Sequence, residues 1–159
     1  RTVIVSGSTF SKIDVRAGRV INLNYNSYVS TGGTWMPWVK VLTSTFEHII
    51  ATQFNVVISV YGIDGSAGEY PRMPSLEMTD NTFDYIAHLN IGSSAYYGGI
   101  LSYWMSAVTL GDGDSNKMAT ALIKGNTYTN LSLRFEGTVI AVVNIKQVTI
   151  ESENMTGLS

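Results

Sequence analysis

The sequence predicts an all-β domain, an antiparallel jelly-roll sandwich with at most one short helix. Three observations lead to this fold class. Apolar and polar residues alternate along most of the chain, which is the period of a strand with one buried face. Turn-forming residues recur at short intervals, as in residues 30–33, 64–68 and 111–114. About eight to ten short strands separated by such turns are typical of a sandwich or a barrel.

The strand predictions follow the strength of the alternation. It is clearest in four segments: 12–25, 53–61, 83–91 and 127–135. The first is predicted as one long strand or as a hairpin broken near Ala17 and Gly18. In the third, the odd-numbered side chains from Phe83 and Tyr85 to Ile91 are predicted to face the core, with Asp84, His88 and Asn90 in solvent. Weaker alternation predicts strands at 2–5, 35–42, 100–110 and 118–123.

The segment 139–151 changes phase. Its apolar residues are odd-numbered up to Ile145 but even-numbered from Val148. One strand cannot bury both groups, so we predict a β-bulge near Lys146 and Gln147. The first half is apolar on both faces and is predicted to be a central strand. The predicted core of this C-terminal part is Leu131, Leu133, Phe135, Val143 and Ile145.

One segment fits two structures. Residues 44–47 match a helix-capping box, and Phe46, Ile49 and Ile50 follow helical spacing. A short helix and a further strand are equally consistent with this pattern.

Composition bounds the function. The net charge is −2, only 14% of the residues are charged, and cysteine is absent. Without a basic cluster we expect no nucleic-acid binding, and without a long apolar run we expect no transmembrane segment. We predict no internal repeat, and therefore a single domain over residues 1–159. Because the chain starts with Arg1, we interpret it as the C-terminal fragment of a longer chain.

The templates for metal binding and catalysis fail. Asp112 and Asp114 begin a calcium-loop pattern, but Lys117 stands where the loop needs Gly and Ile123 where it needs Glu. The two histidines could act as a base only beside an activated serine. The Gly-x-Ser-x-Gly motif of such a serine is absent, because residues 64–68 have Asp in place of its first Gly. The acidic residues between 69 and 84 are predicted to be solvent-exposed loop residues and not a carboxylate pair for glycoside hydrolysis. We therefore expect no enzyme activity, no cofactor and no metal site.

The aromatic residues are the better functional signal. Tyr and Trp combine an apolar ring with a polar atom, so they suit sugar stacking and protein interfaces. Four of them lie beside predicted turns and are candidate binding residues: Trp35, Trp38, Tyr96 and Tyr97. A second group lies on a segment that is apolar on both faces and is predicted to form a subunit interface: Tyr103, Trp104 and Met105.

The whole-chain pattern resembles the jelly-roll knobs that cap bacteriophage tail fibres, tail spikes and tail needles. The resemblance rests on length, short strands, low charge and a Trp-Xaa-Lys strand at 38–42 followed by a strand at 54–62. It transfers no functional residue, because no ligand motif defines the group. It implies a non-enzymatic homotrimeric tip on the virion, outside the cell. Such a tip is joined to an upstream fibrous or coiled-coil segment and contacts a host surface glycan or envelope component.

Two other functions fit the same sequence. One is a carbohydrate-binding module of a secreted enzyme, which would be a monomer with one aromatic platform. The other is a structural jelly roll of a capsid or decoration protein. The mass of the chain in solution separates the trimeric tip from the monomeric module.

Overall fold

The computed structural model describes residues 2–15, 19–26, 38–51, 57–63, 75–88, 99–105, 119–133, 139–143, 145 and 147–158. These residues form fourteen β-strands and, within these ranges, no helix. The strands are β1 (Val3–Ser6), β2 (Thr9–Val15), β3 (Ile21–Asn26), β4 (Trp38–Leu42), β5 (Thr45–Ala51), β6 (Ile58–Ile63), β7 (Ser75–Thr79), β8 (Thr82–His88), β9 (Leu101–Met105), β10 (Thr120–Lys124), β11 (Thr127–Leu133), β12 (Ile140–Val143), β13 (Gln147–Glu151) and β14 (Asn154–Leu158).

The predicted antiparallel jelly roll is wrong, because the strand pairs are parallel. The first sheet has the order β1-β4-β7-β10-β13. The second has the order β14-β11-β8-β5-β2, and the third has the order β12-β9-β6-β3. Each strand from β4 onward therefore pairs with the strand three places before it in the sequence, and the chain winds as a coil through the three sheets. The described strands make five such coils, the fifth being β13 and β14. This architecture is a parallel β-helix. Alternation predicts that a strand has one buried face, but it does not predict the direction of the neighbouring strand.

The three sheets enclose one core. Equivalent residues of successive coils lie above one another, about 4.7–4.9 Å apart. Val39, Phe46 and Ile58 come from three different sheets, are at most 1% exposed and belong to the same buried cluster. Within this core one column is aromatic. Its neighbouring rings stack with centroids 4.8, 4.9 and 5.2 Å apart in the order Phe10, Phe46, Phe83 and Tyr128.

Each coil turns from the first sheet into the second at one residue with a left-handed backbone. Its φ lies between 46° and 66° in all five coils, at Gly7, Thr43, Asp80, Gly125 and Ser152. Such a φ reverses the side-chain direction locally and lets the strand bend. The corner therefore recurs at the same place in every coil.

The residue after each corner forms a hydrogen-bonded ladder along the coils. The backbone N–H of one residue donates to the side-chain oxygen of its equivalent in the next coil. The distances are 3.2 Å for Ser8 to Ser44, 2.9 Å for Ser44 to Asn81, 3.0 Å for Asn81 to Asn126 and 3.2 Å for Asn126 to Glu153. Asn81 and Asn126 are at most 1% exposed. The ladder satisfies backbone donors that the corner removes from the sheets.

The coils are an internal repeat, so the prediction of no repeat is also wrong. The ladder residue is followed by Thr and an aromatic residue in four coils, at 8–10, 44–46, 81–83 and 126–128. The separations between equivalent ladder residues are 36, 37, 45 and 27 residues. Because the chain between coils varies in length, no fixed period aligns the repeats.

Other strand predictions change with this topology. Residues 12–25 are not one strand or a hairpin, because β2 and β3 belong to different sheets. The phase change in 139–151 is not a bulge, since β12 and β13 also belong to different sheets. β12 is an edge strand and not a central one, and Val143 is 36% exposed. Residues 45–51 form strand β5, which excludes the helix there.

The predicted core residues of the C-terminal part have four different outcomes. The prediction for Val143 is wrong, because its side chain is 36% exposed on the edge strand β12. Leu131 is buried, as predicted. Leu133 and Ile145 are partly buried and pack against the core. Phe135 lies outside the described residues.

Within the described part of the chain, no helix is long and apolar enough to cross a membrane.

Candidate functional site

The predicted binding residues are described only in part. Trp35, Tyr96 and Tyr97 lie outside the described residues. Trp38 begins β4 and is 37% exposed on the outer side of the first sheet. The ammonium of Lys40 lies 5.2 Å from the centroid of the Trp38 ring and forms an ion pair of 2.6 Å with Glu77. One face of the Trp38 ring therefore already contacts a cation.

The predicted interface residues lie on β9, in the third sheet. Tyr103 points into the coil and is fully buried, and burial raises the pKa of its hydroxyl. Its burial needs no second subunit. Trp104 faces the opposite way, half-buried, with its ring 4.9 Å from that of Tyr61 in the preceding coil. Met105 ends the strand.

A second left-handed position recurs in every coil, in the middle of the second sheet. Its φ lies between 49° and 64° at Lys12, His48, Tyr85, Asn130 and Gly157. Gly and Asn adopt this conformation readily, whereas other L-residues do so at a cost of about 1–2 kcal/mol. Lys, His and Tyr therefore occupy this column in spite of backbone strain.

The bend at this position turns two consecutive side chains outward. Phe83 and Ile86 are at most 1% exposed, whereas Tyr85 between them is 54% exposed. The prediction that Tyr85 faces the core is therefore wrong, because the left-handed residue shifts the alternation by one. Asp84 faces solvent, as predicted.

The exposed and half-buried residues around the bend form a group that we call the outer cluster: His48, Asp84, Tyr85, Thr129 and Asn130. The carboxylate oxygen Oδ1 of Asp84 accepts a hydrogen bond of 2.6 Å from Thr129 Oγ1 and one of 2.9 Å from Asn130 Nδ2. The rings of His48 and Tyr85 stack with centroids 5.0 Å apart and planes 14° apart. The cluster thus joins an oriented carboxylate to an exposed aromatic pair.

These hydrogen bonds favour the ionised form of Asp84. The hydrogen bond from Thr129 has the largest effect and lowers the pKa of the carboxyl below its ordinary value of 3.8. Partial loss of hydration opposes the shift, while Asn130, the backbone N–H of Tyr85 and the charge of His48 support it. At neutral pH the cluster therefore presents a fixed anionic acceptor.

The acidic residues and histidines of the described part of the chain are spread over different sheets. In the described ranges, no three His, Cys, Asp or Glu side chains are grouped closely enough to hold a metal ion. Among the acids considered from the sequence, Glu77 pairs with Lys40 on the first sheet, whereas Asp84 lies on the second. Asp112 and Asp114 lie outside the described residues.

Sequence reasoning missed the outer cluster, although one signal was present. The triplet of ladder residue, Thr and aromatic residue places His48, Tyr85 and Asn130 at one position of the coil, four residues after Ser44, Asn81 and Asn126. An alignment of those triplets places the three residues at equivalent positions and so predicts that they form one column. The left-handed bend that exposes it carries no sequence signature where the residue is Lys, His or Tyr.

The chain was also compared with known proteins. Comparison with protein-family models, with curated proteins and with solved structures finds no match.

Proposed function

We propose that the chain is a non-enzymatic contact module of a phage tail appendage, a fibre or spike, which binds a host surface glycan through the outer cluster. The observation that carries the proposal is the exposed stack of His48 on Tyr85, held on two strained left-handed residues. Strain of this kind is concentrated at binding and active sites. Asn130 and Gly157 occupy the same column without that strain. His48 and Tyr85 thus place their rings at a bend that recurs in every coil and turns the side chain outward.

The chemistry of the cluster suits a carbohydrate. A sugar ring offers an apolar C–H face to an aromatic ring and hydroxyl groups to polar side chains. The Asp84 carboxylate accepts hydrogen bonds from hydroxyls, and the Asn130 amide can donate and accept. Both side chains are oriented by contacts within the protein, so little side-chain freedom is lost on binding.

The coil architecture suits an elongated appendage. Stacked coils present columns of outward side chains on an extended surface. A homotrimer would offer three copies of a weak site, and binding to a repetitive glycan would gain by avidity. The resemblance to jelly-roll tips no longer supports this proposal, because the fold is different. Its support is the geometry of the outer cluster.

A glycan array tests the proposal. The purified chain is expected to bind at least one bacterial surface glycan, and Asp84→Ala should abolish that binding. Glu77→Ala is the matched control, since it removes a partly exposed carboxylate from a different sheet. Binding by no glycan, or equal loss in both variants, would contradict the proposal.

Light scattering tests the proposed assembly. A mass near three chains of 17.3 kDa supports the trimeric appendage. A monomer that binds glycan would instead favour the carbohydrate-binding module of a secreted enzyme, which uses the same site chemistry without avidity.

A further inference from the structure

We infer that Tyr85 is the floor of a single-sugar subsite, in which a neutral pyranose stacks on the ring face turned toward β11 and hydrogen-bonds Asp84 and Asn130. This inference rests on the proposed glycan binding and names the place, orientation and chemical class of the bound sugar.

The first step concerns the free face of the Tyr85 ring. In the second sheet β8 lies between β5 and β11, so His48 and Asn130 flank Tyr85 on opposite sides. His48 covers one face of the ring at 5.0 Å. On the other side the equivalent residues have smaller side chains, because Asn130 is followed by Gly157. Because the Asn130 side chain is shorter than that of Tyr85, the outer part of the Tyr85 ring extends beyond it, and Tyr85 is 54% exposed. This outer part of the face toward β11 is the one that a ligand can cover.

The second step concerns the polar edge of this face. The Asn130 amide nitrogen is bound to Asp84, which leaves the Asn130 carbonyl oxygen directed toward the next coil. That oxygen would lie 3.3 Å from a Cβ placed on Gly157, so any side chain there would crowd it. Gly157 has a left-handed φ of 64°, a conformation that other residues rarely adopt. The absence of a side chain thus leaves the acceptor accessible.

The third step gives the class of sugar. The Asp84 carboxylate and the Asn130 carbonyl are both acceptors, so they match two neighbouring hydroxyl groups that donate. The negative charge of Asp84 repels an acidic sugar. The subsite therefore selects a neutral pyranose with adjacent free hydroxyls over a uronic acid.

Trp38, the other aromatic residue exposed in the described part of the chain, is less suitable. The Trp38 ring has the Lys40 ammonium against it, and Lys40 is in turn held by Glu77. A sugar would have to displace that ion-paired cation before stacking.

Saturation-transfer NMR tests the subsite with named probes. The panel contains the methyl glycosides of glucose, galactose, mannose, rhamnose and N-acetylglucosamine, with glucuronic acid as the acidic probe. Transfer from the protein to the C–H face of at least one neutral sugar is expected, and none to glucuronic acid. Transfer only to glucuronic acid, or to no sugar of the panel, would overturn the subsite.

Two variants locate the site. Tyr85→Asn removes the ring, and it should fold because Asn tolerates the left-handed backbone. It should weaken binding of the best methyl glycoside at least about 10-fold, or about 1.4 kcal/mol. Lys12→Asn is the matched control, since it makes the same kind of change two coils away and should leave binding unchanged. Asp84→Asn keeps the size of the side chain and should also weaken binding about 10-fold by removing the charged acceptor.

The outcomes separate this inference from the proposed function. If array glycans bind but Tyr85→Asn and Asp84→Asn bind them as well as the unchanged chain does, the subsite is wrong and glycan binding stands. If no glycan binds, both the subsite and the proposed glycan binding are wrong.

Discussion

Asn81 offers the sharpest test of the ladder that joins the coils. Its side-chain nitrogen donates to the carbonyl of Val41 at 2.8 Å, and its oxygen accepts from the backbone N–H of Ser44 at 2.9 Å. Asn81→Ala would leave both buried backbone groups without their partner. Each unsatisfied buried group costs about 1–3 kcal/mol, so we expect a loss of about 4 kcal/mol in the free energy of unfolding.

Asn81→Ser separates the two contributions. A serine hydroxyl can accept from the Ser44 N–H, as Ser44 does for Ser8 at 3.2 Å, but it is too short to replace the bond to Val41. The expected loss is about half that of alanine, near 2 kcal/mol. The exposed Asn154→Ala is the control and should change stability by less than about 0.5 kcal/mol.

Urea denaturation followed by tryptophan fluorescence measures these differences, provided that the m-values stay equal. A loss below about 1 kcal/mol for alanine, or no advantage of serine over alanine, would refute the ladder argument.

Three further predictions concern single side chains. The hydroxyl of Tyr128 is buried near the Glu153 carboxylate, but it has no partner in hydrogen-bonding geometry among the described residues, so Tyr128→Phe should raise the free energy of unfolding by about 1 kcal/mol; a loss in thermal denaturation would show that the hydroxyl is bonded to Glu153. Leu131→Ala should destabilise by about 2–5 kcal/mol and the partly buried Leu133→Ala by less, and denaturant titration should give that order. Because the pKa of Asp84 is depressed, its bonds to Thr129 and Asn130 contribute above its ordinary value of 3.8 and are lost as the pH falls through the lowered pKa. The difference in free energy of unfolding between the unchanged chain and Asp84→Asn should therefore still be present at pH 5 and decline only below the ordinary value of 3.8, and a decline already above pH 5 would contradict that assignment.

The all-β class could be predicted from the sequence, because alternation reports one buried face for each strand. Phe83 and Leu131, both buried, follow directly from it. The sheet topology could not be predicted in the same way. Pairing of Phe46 with Phe83 is parallel and separated by a variable length of chain, and neither fact changes the local pattern.

The outer cluster depends on backbone conformation as well as on sequence. Tyr85 is apolar enough to be predicted in the core, and only its positive φ turns it outward. Asn130 is a residue type that favours such a φ, but Lys12 is not. The column becomes visible only when the coils are superposed, which the irregular spacing of the ladder residues prevents in the sequence.

The ladder and the aromatic column also determine how the chain can fold and change. Each coil contacts only the coils beside it, so cooperativity is transmitted between nearest neighbours and folding can propagate from any coil. The separations of 27 to 45 residues show that the connecting chain varies while the strand register is kept. A whole coil is therefore a natural unit of duplication or loss, because a new coil needs only one ladder residue and one stacking ring in the right register.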